Sequence, residues 1–306
     1  MVTMIALMGE QTLPNFLPLL HYKPACVLCL YTSTTRQAFD RFQKTVQKHG
    51  DLDCSVSGLC VEPYDLDKTA NALKKHLEQK QLSGQNCLFN LTGGTKVMSF
   101  AAYHVAQEWQ APMFYFQSEL KQGNLIEYEW QNGRPQQVRQ NDLSCEQLTL
   151  EDILDLHLGS NKWYEDTKGK GDEGSRFEQT LADLLRAEGY EVRQQVHIGD
   201  SQAEIDIMLR FRQRYGVIEV KHKKKAPTGE QAGIDTKAIK QLATSTRQLG
   251  TYVQRFYILN VPLPAIHKAL IELTGINTIV LKSYRDGKLS AEDRQKFVSE
   301  IAQVLR

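Results

Sequence analysis

Five short apolar runs with helical patterns between them decide the class of the first half of the chain. The runs are Val2 to Met8, Ala25 to Tyr31, Val56 to Val61, Cys87 to Leu91 and Pro112 to Gln117. Phe39, Phe42 and Val46 mark a helix that the Thr32-Ser33-Thr34-Thr35 cluster can cap, because hydroxyl oxygens accept from free N–H groups of a first turn. Ala70, Leu73 and Leu77 give one face to a helix over Asp65 to Lys80, and Lys96 to Trp109 reads as a third. Strands alternating with helices imply α/β architecture with a mostly parallel, doubly wound sheet. Leu125 to Trp130 and Gln136 to Arg139, split by Asn132-Gly133, add an antiparallel hairpin.

Ligands of such sheets collect beyond the carboxyl ends of the strands. Here those ends are Gly9 to Thr12, Thr32 to Thr35 and Thr92 to Lys96, all rich in glycine, hydroxyls and backbone donors. Asn90-Leu91-Thr92-Gly93-Gly94-Thr95-Lys96 leaves a strand and enters a helix, so free N–H groups and the helix dipole favour an anion there. It is not a Walker A loop, since the glycine pair lies too close to Lys96.

That loop, carried on to Val97-Met98 after a fourth strand, resembles the ligand loop of CARF domains, the sensors of type III CRISPR accessory proteins. The resemblance implies a Rossmann-like fold and a homodimer whose facing domains share one cyclic oligoadenylate, with cyclic tetra-adenylate the common case. It assigns ligand contacts to Thr92, Gly93, Gly94, Thr95 and Lys96. By position after the first two strands it adds Gly9, Glu10, Gln11, Thr12, Thr32 and Ser33.

The second half turns on one hairpin. Glu204-Ile205-Asp206-Ile207-Met208-Leu209 and Gly216-Val217-Ile218-Glu219-Val220-Lys221 flank a polar turn from Arg210 to Tyr215. Side chains two apart share a strand face, so Glu219 and Lys221 point together, beside Asp206 if the register allows. Carboxylates converging in this way are costly to bury unpaired, and a divalent cation would remove that cost. Before the hairpin, Phe177, Leu181, Leu184 and Leu185 stripe a helix that ends at Glu188 and carries Glu178. A strand over Tyr190 to His197 follows it. Beyond the hairpin come a helix over Ile234 to Leu249, a strand over Phe256 to Val261, a helix over Pro264 to Leu273, a strand over Thr278 to Lys282 and a closing helix over Ala291 to Leu305.

Glu178, Asp206 and Glu219-x-Lys221, in that order on helix, strand and strand, resemble the core of the PD-(D/E)XK nuclease superfamily; Ile205 stands where the family name has proline. The resemblance implies a restriction-endonuclease-like α/β domain that hydrolyses phosphodiesters. Asp206, Glu219, the Val220 carbonyl and Glu178 would hold Mn2+ or Mg2+, Lys221 would orient water or hold phosphate charge, and Gln241 would be its polar partner. Lys221-His222-Lys223-Lys224-Lys225 with Arg210, Arg212 and Arg214 offers local positive charge to DNA or RNA, while His222 reads as a surface residue.

A length of 306 residues suits two domains, here 1–140 for the sensor and 175–306 for the nuclease, joined by 141–174 with its helix over Leu148 to Leu158 and the polar Thr167 to Gly174. A net charge of +1 offers no global field for nucleic acid or membrane. The absence of a basic, apolar leader and of apolar runs near the roughly 20 residues of a spanning helix points to the cytoplasm and to no membrane partner. Six cysteines without secretory context read as reduced thiols, with Cys26-x-x-Cys29 a core pair rather than a zinc site. Together the halves read as a nuclease of type III CRISPR defence whose activity depends on the ring. The alternatives are a ligand-independent restriction or repair nuclease, and a non-catalytic regulator that binds nucleic acid.

Overall fold

The computed structural model describes residues 2–117, 123–143, 146–166, 171–199, 203–223, 236–262 and 265–306. Lys224 and Lys225 of the basic run, Thr167 to Lys170 of the join, Ile234 and Asp235 at the expected helix start, and Pro264 lie outside the described residues. The chain forms two compact units, one of Met1–Leu148 with Asp155–Ser160 and one of Thr149–Leu154 with Asn161–Arg306.

In the first unit β1 (Thr3–Leu7), α1 (Leu13–Tyr22), β2 (Cys26–Tyr31), α2 (Arg36–Lys48), β3 (Ser55–Cys60), α3 (Leu66–Gln79), β4 (Cys87–Asn90), α4 (Lys96–Glu108) and β5 (Met113–Gln117) alternate. β6 (Gly123–Gln131) and β7 (Arg134–Leu143) then close a seven-stranded sheet of order β3-β2-β1-β4-β5-β6-β7. β3 through β5 are parallel, and β6 and β7 run antiparallel. Asn132 and Gly133 both have positive φ (53° and 72°), the geometry that lets a two-residue turn match strand twist. Ile5, Leu7, Leu28, Leu30 and Phe89 meet Leu73, Leu77, Ala102 and Val105 in one core.

Helix α1 is absent from the sequence reading, and its prolines explain why. Pro14 sits in the first turn, where no N–H is needed, but Pro18 lies inside the helix and cannot donate to the carbonyl four residues back. That carbonyl, on Pro14, instead accepts from Asn90 Nδ2 at 3.1 Å.

In the second unit, after α5 (Leu150–His157), come β8 (Trp163–Glu165), α6 (Glu173–Ala187), β9 (Glu191–Ile198), β10 (Ala203–Phe211) and β11 (Arg214–Lys221). α7 (Thr236–Ser245), β12 (Gln254–Leu259), α8 (Ala265–Thr274), β13 (Asn277–Val280) and α9 (Ala291–Leu305) follow. The sheet order is β13-β12-β11-β10-β9-β8, with β11 to β13 parallel and β8 to β11 antiparallel. β8 had no counterpart in the sequence reading; three residues carry too little periodicity. The hairpin turn is also tighter than read, because the ladder runs out to Phe211 opposite Arg214 and Arg212 takes φ 54°. Phe177, Leu181 and Leu185 of α6 pack on Ile207, Leu209, Ile218 and Val220 together with Phe297 and Ile301 of α9. That burial fixes α6, and therefore Glu178, against the hairpin. Asp172 caps α6 by accepting from Ser175 N, and Gly189 (φ 82°) ends it.

Candidate active site and ligand loops

The ladder between β10 and β11 has Ile207 opposite Ile218, so the next residues outward are Asp206 and Glu219. Asp206 Oδ2 accepts from Val220 N at 2.7 Å, and Lys221 Nζ lies 2.5 Å from Glu219 Oε1. The carboxyl of Asp206 is pushed well up by burial, then by the negative charges of Glu219 and Glu178; Lys221 and the Val220 N–H pull the other way. Burial likewise raises Glu219 against the lowering effect of Lys221. Burial lowers Lys221, but Glu219 and Asp206 outweigh it, so its ammonium is firmly held. The structure therefore brings Glu178, Asp206, Glu219 and Lys221 into one electrostatic cluster at the end of the hairpin. Gln241 is exposed on α7 and makes no hydrogen bond to Lys221.

Acidic oxygens that strain against their own charge in a half-buried place suit a hard divalent cation. Among the described residues no group of three or more His, Cys, Asp or Glu side chains is gathered to hold a metal. The two carboxylates on neighbouring strands, Asp206 and Glu219, lie together at the hairpin, and Glu178 acts on Asp206 through its charge.

Asn260, missed in the sequence, and His222, placed by it at the surface, frame this cluster. Asn260, just past β12 and 4% exposed, accepts from Lys223 N (2.8 Å) and donates to Lys223 O (2.9 Å), pinning the strand end that carries Lys221. A carboxamide ending an apolar strand beside the acidic strand is a signal the sequence does contain. His222, read as a surface residue, is instead half-buried, with its ring edge-on to Phe177 (6.4 Å) and Tyr284 (5.5 Å). The apolar side of the strand end claims it.

In the first unit the loop after β4 is fixed by its own side chains. Thr92 Oγ1 accepts from Phe116 N (2.7 Å), and Thr95 Oγ1 donates to Pro63 O (2.7 Å) and caps Met98 N (3.2 Å). A buried Asn15–Asn90 pair (3.0 Å) ties α1 to the loop, with Asn15 Nδ2 on Leu7 O and Asn90 Oδ1 on Thr92 N. A Cβ on Gly93 would sit 2.0 Å from Leu7 O, and Gly94 (φ 70°) lies against Gly9, so the loops after β1 and β4 meet backbone to backbone. Gly94, Lys96, Glu10 and Ser33 are exposed, and Gln11 is half-buried. Thr12 Oγ1 is buried without a hydrogen-bond partner. Thr32 is buried in a hydroxyl cluster with Thr34 and Thr35. Loop hydroxyls thus hold the backbone, leaving glycine backbone and the Lys96 ammonium toward solvent.

The first unit is a Rossmann-like domain with a glycine-rich loop after β4, and the second sets a cluster of acids and one lysine on a mixed sheet. Residues 3–152 match the Card1 CARF domain family and residues 171–259 match the Mrr_cat restriction endonuclease family, so the chain joins a CARF domain to a restriction-endonuclease domain. Can2 from Sulfobacillus thermosulfidooxidans, solved with cyclic tetra-adenylate, shares the fold at TM-score 0.72 and 17% identity over 99% of this chain and 97% of its own. Protein VC1899 from Vibrio cholerae gives TM-score 0.69 at 13% identity, covering 98% of each chain. A type III CRISPR defence DNA nuclease activated by cyclic oligoadenylate gives 0.58 at 15% identity, covering 97% of this chain and 51% of that one. No match is found among curated protein sequences. Among the described residues no helix is long and apolar enough to cross a membrane.

Proposed function

We propose that this protein is a metal-dependent nuclease of type III CRISPR antiviral defence, switched on by a cyclic oligoadenylate and cutting DNA, RNA or both non-specifically. The observation that carries the reading is the Asp206–Glu219–Lys221 cluster with Glu178 beside it, in a chain that also has a CARF domain. In this reading residues 1–140 sense, 175–306 cut and 141–174 join them.

Mn2+ or Mg2+, held by Asp206, Glu219, the Val220 carbonyl and Glu178, would supply positive charge for the phosphate oxygens and an acidified water. Lys221 is held on Glu219, and from that position its ammonium would hold phosphate charge or orient the attacking water. Gln241 is its candidate polar partner once substrate is bound. Val220 N–H keeps Asp206 in place throughout.

For the sensor, the ring chemistry seen in the Can2 complex supports cyclic tetra-adenylate as the activator. Gly93, Gly94 and Lys96, with Gly9, Glu10, Gln11, Thr12, Thr32, Ser33, Thr92 and Thr95 around them, would face its phosphates and riboses. Exposed Tyr64, Leu66 and Phe100 flank the Pro63–Thr95 bond beside that loop and favour a second copy there, so the working form is a homodimer. Switching requires the ring to bind two arrangements with different affinity.

The test is cleavage of supercoiled plasmid and single-stranded RNA with Mn2+ and cyclic tri-, tetra- or hexa-adenylate in turn, beside Glu219→Ala. Cutting that needs a ring and vanishes in the variant supports the reading. Cutting without any ring, or surviving Glu219→Ala, contradicts it.

A further inference from the structure

The second unit holds a polar cleft of about 340 Å³ between α6 and the β8–β9 edge. Its walls include Ser175 and Gln179 from α6, Asp166, and Gln194 and Gln195 from β9. Two of these residues adjoin the candidate centre by sequence or register. Gln179 follows Glu178, and Gln195 lies across from Asp206, between the flanking pairs Ile205 with Val196 and Ile207 with Gln194.

Gln195 is unusual in three ways at once. It takes φ 50° inside a strand, a conformation that costs a non-glycine residue free energy and that persists where surroundings demand it. It is 8% exposed. Its carboxamide makes no hydrogen bond among the described residues, although its backbone carbonyl accepts from Asp166 N at 3.1 Å. Neither of its amide atoms is among the enclosed side-chain atoms left without a partner, so the group opens into the cleft, where a ligand that supplies both a donor and an acceptor can engage it. Gln194 and Gln179 are already engaged, by Arg186 and Asp183 respectively, which orients them as cleft walls.

We propose that this cleft receives a nucleobase of the substrate strand next to the scissile phosphate, and that the Gln195 carboxamide reads its edge. The guanidiniums of Arg186 and Arg193 in the same walls are paired with Asp183 and with Glu151 and Glu165, whereas the Gln195 carboxamide presents a donor and an acceptor side by side. Adenine offers the matching acceptor and donor, N7 and N6. The inference rests on the nuclease reading and adds to it a local base preference at one flanking position.

The test uses the full chain in two arms. Short single-stranded oligonucleotides that differ at one base are titrated by fluorescence anisotropy in Ca2+, with wild type, Gln195→Leu and Gln195→Asn. Asparagine keeps the carboxamide and tolerates positive φ, so it separates chemistry from backbone strain; melting curves establish folding for each. Wild type is expected to favour adenine by about fivefold or more, the lower end of one bidentate amide–base pair. Gln195→Leu loses that preference, and Gln195→Asn retains part of it. The second arm sequences the ends of cleavage products from a random-sequence substrate, where an adenine bias is expected beside the cut and is lost in Gln195→Leu. A flat base profile in wild type, or a bias unchanged in Gln195→Leu, overturns the proposal. Absence of cleavage with base-dependent binding intact counts against the nuclease reading and not against the cleft.

Discussion

Lys221 and Glu219, two residues apart on one face of β11, form an ion pair of 2.5 Å in which the carboxylate is only 13% exposed. The pair has two consequences. It favours the charged form of Glu219 in a place that disfavours charge, and it engages one of the two oxygens of that carboxylate. Replacing the ammonium by an apolar side chain of similar length, Lys221→Met, leaves Asp206 and Glu219 to repel each other. Cleavage is expected to fall by about 100-fold or more, as when a charge-stabilising donor is removed from a hydrolytic site. Ring affinity, measured by calorimetry, should stay unchanged, and the rise in melting temperature on adding Mn2+ should persist.

The raised carboxyls of Asp206 and Glu219 make a signed prediction about pH. Burial, then the neighbouring acids, lifts Asp206, and burial lifts Glu219. A carboxyl raised on folding takes up a proton as the chain folds. Its contribution is fully present below the unfolded value of about 4 and is lost as pH rises through the higher folded value. Asp206→Asn should therefore melt higher than wild type at pH 7.5 without metal, by a margin that shrinks toward pH 4. Mn2+ at pH 7.5 should raise the melting temperature of wild type and not of the variant. A margin that grows on acidification would contradict the assignment.

Asn260 holds both backbone groups of Lys223. Asn260→Ala leaves those groups without their buried partner, which costs about 1–3 kcal/mol in urea unfolding. Because the strand end that carries Lys221 loses its tie, turnover should drop about tenfold with little change in KM. Asn260→Asp, which keeps the acceptor for Lys223 N, should recover part of the turnover.

These residues also mark how far the sequence could be read. Period and punctuation exposed most strands and helices, the Asn132-Gly133 hairpin and the order Glu178, Asp206, Glu219, Lys221, because each is a local pattern. Helix α1 escaped because Pro18 looks like a breaker, and the group that satisfies the freed Pro14 carbonyl, Asn90, is distant in sequence. The hydroxyls of Thr92 and Thr95 read as ligand contacts, yet in the fold they also hold Phe116 N and Pro63 O, partners no local pattern names. The strained conformation of Gln195 leaves no trace in composition or spacing.

The meeting of loops after β1 and β4 depends on a missing side chain. Gly93→Ala would put a methyl group 2.0 Å from Leu7 O, a contact only a backbone shift can relieve. The variant should lose about 1–3 kcal/mol of first-unit stability, as overpacked sites do, and cyclic tetra-adenylate binding should weaken with it. Gly133→Ala makes the control: its added methyl meets nothing within 4 Å, though φ 72° strains it, so it should cost less and leave ring binding intact.

The central claim is that the loop carrying Lys96 governs the centre carrying Lys221. Lys96 is exposed and holds no ion pair among the described residues, so Lys96→Ala should fold as wild type does. The decisive measurement is the initial rate of cleavage against cyclic tetra-adenylate concentration for both proteins, with Mn2+ saturating. The expected result is near-zero cutting without ring, a half-activating concentration raised by about tenfold or more in Lys96→Ala, and the same maximal rate in both. Equal cutting with and without ring, or a lowered maximum with no shift in half-activation, would contradict it.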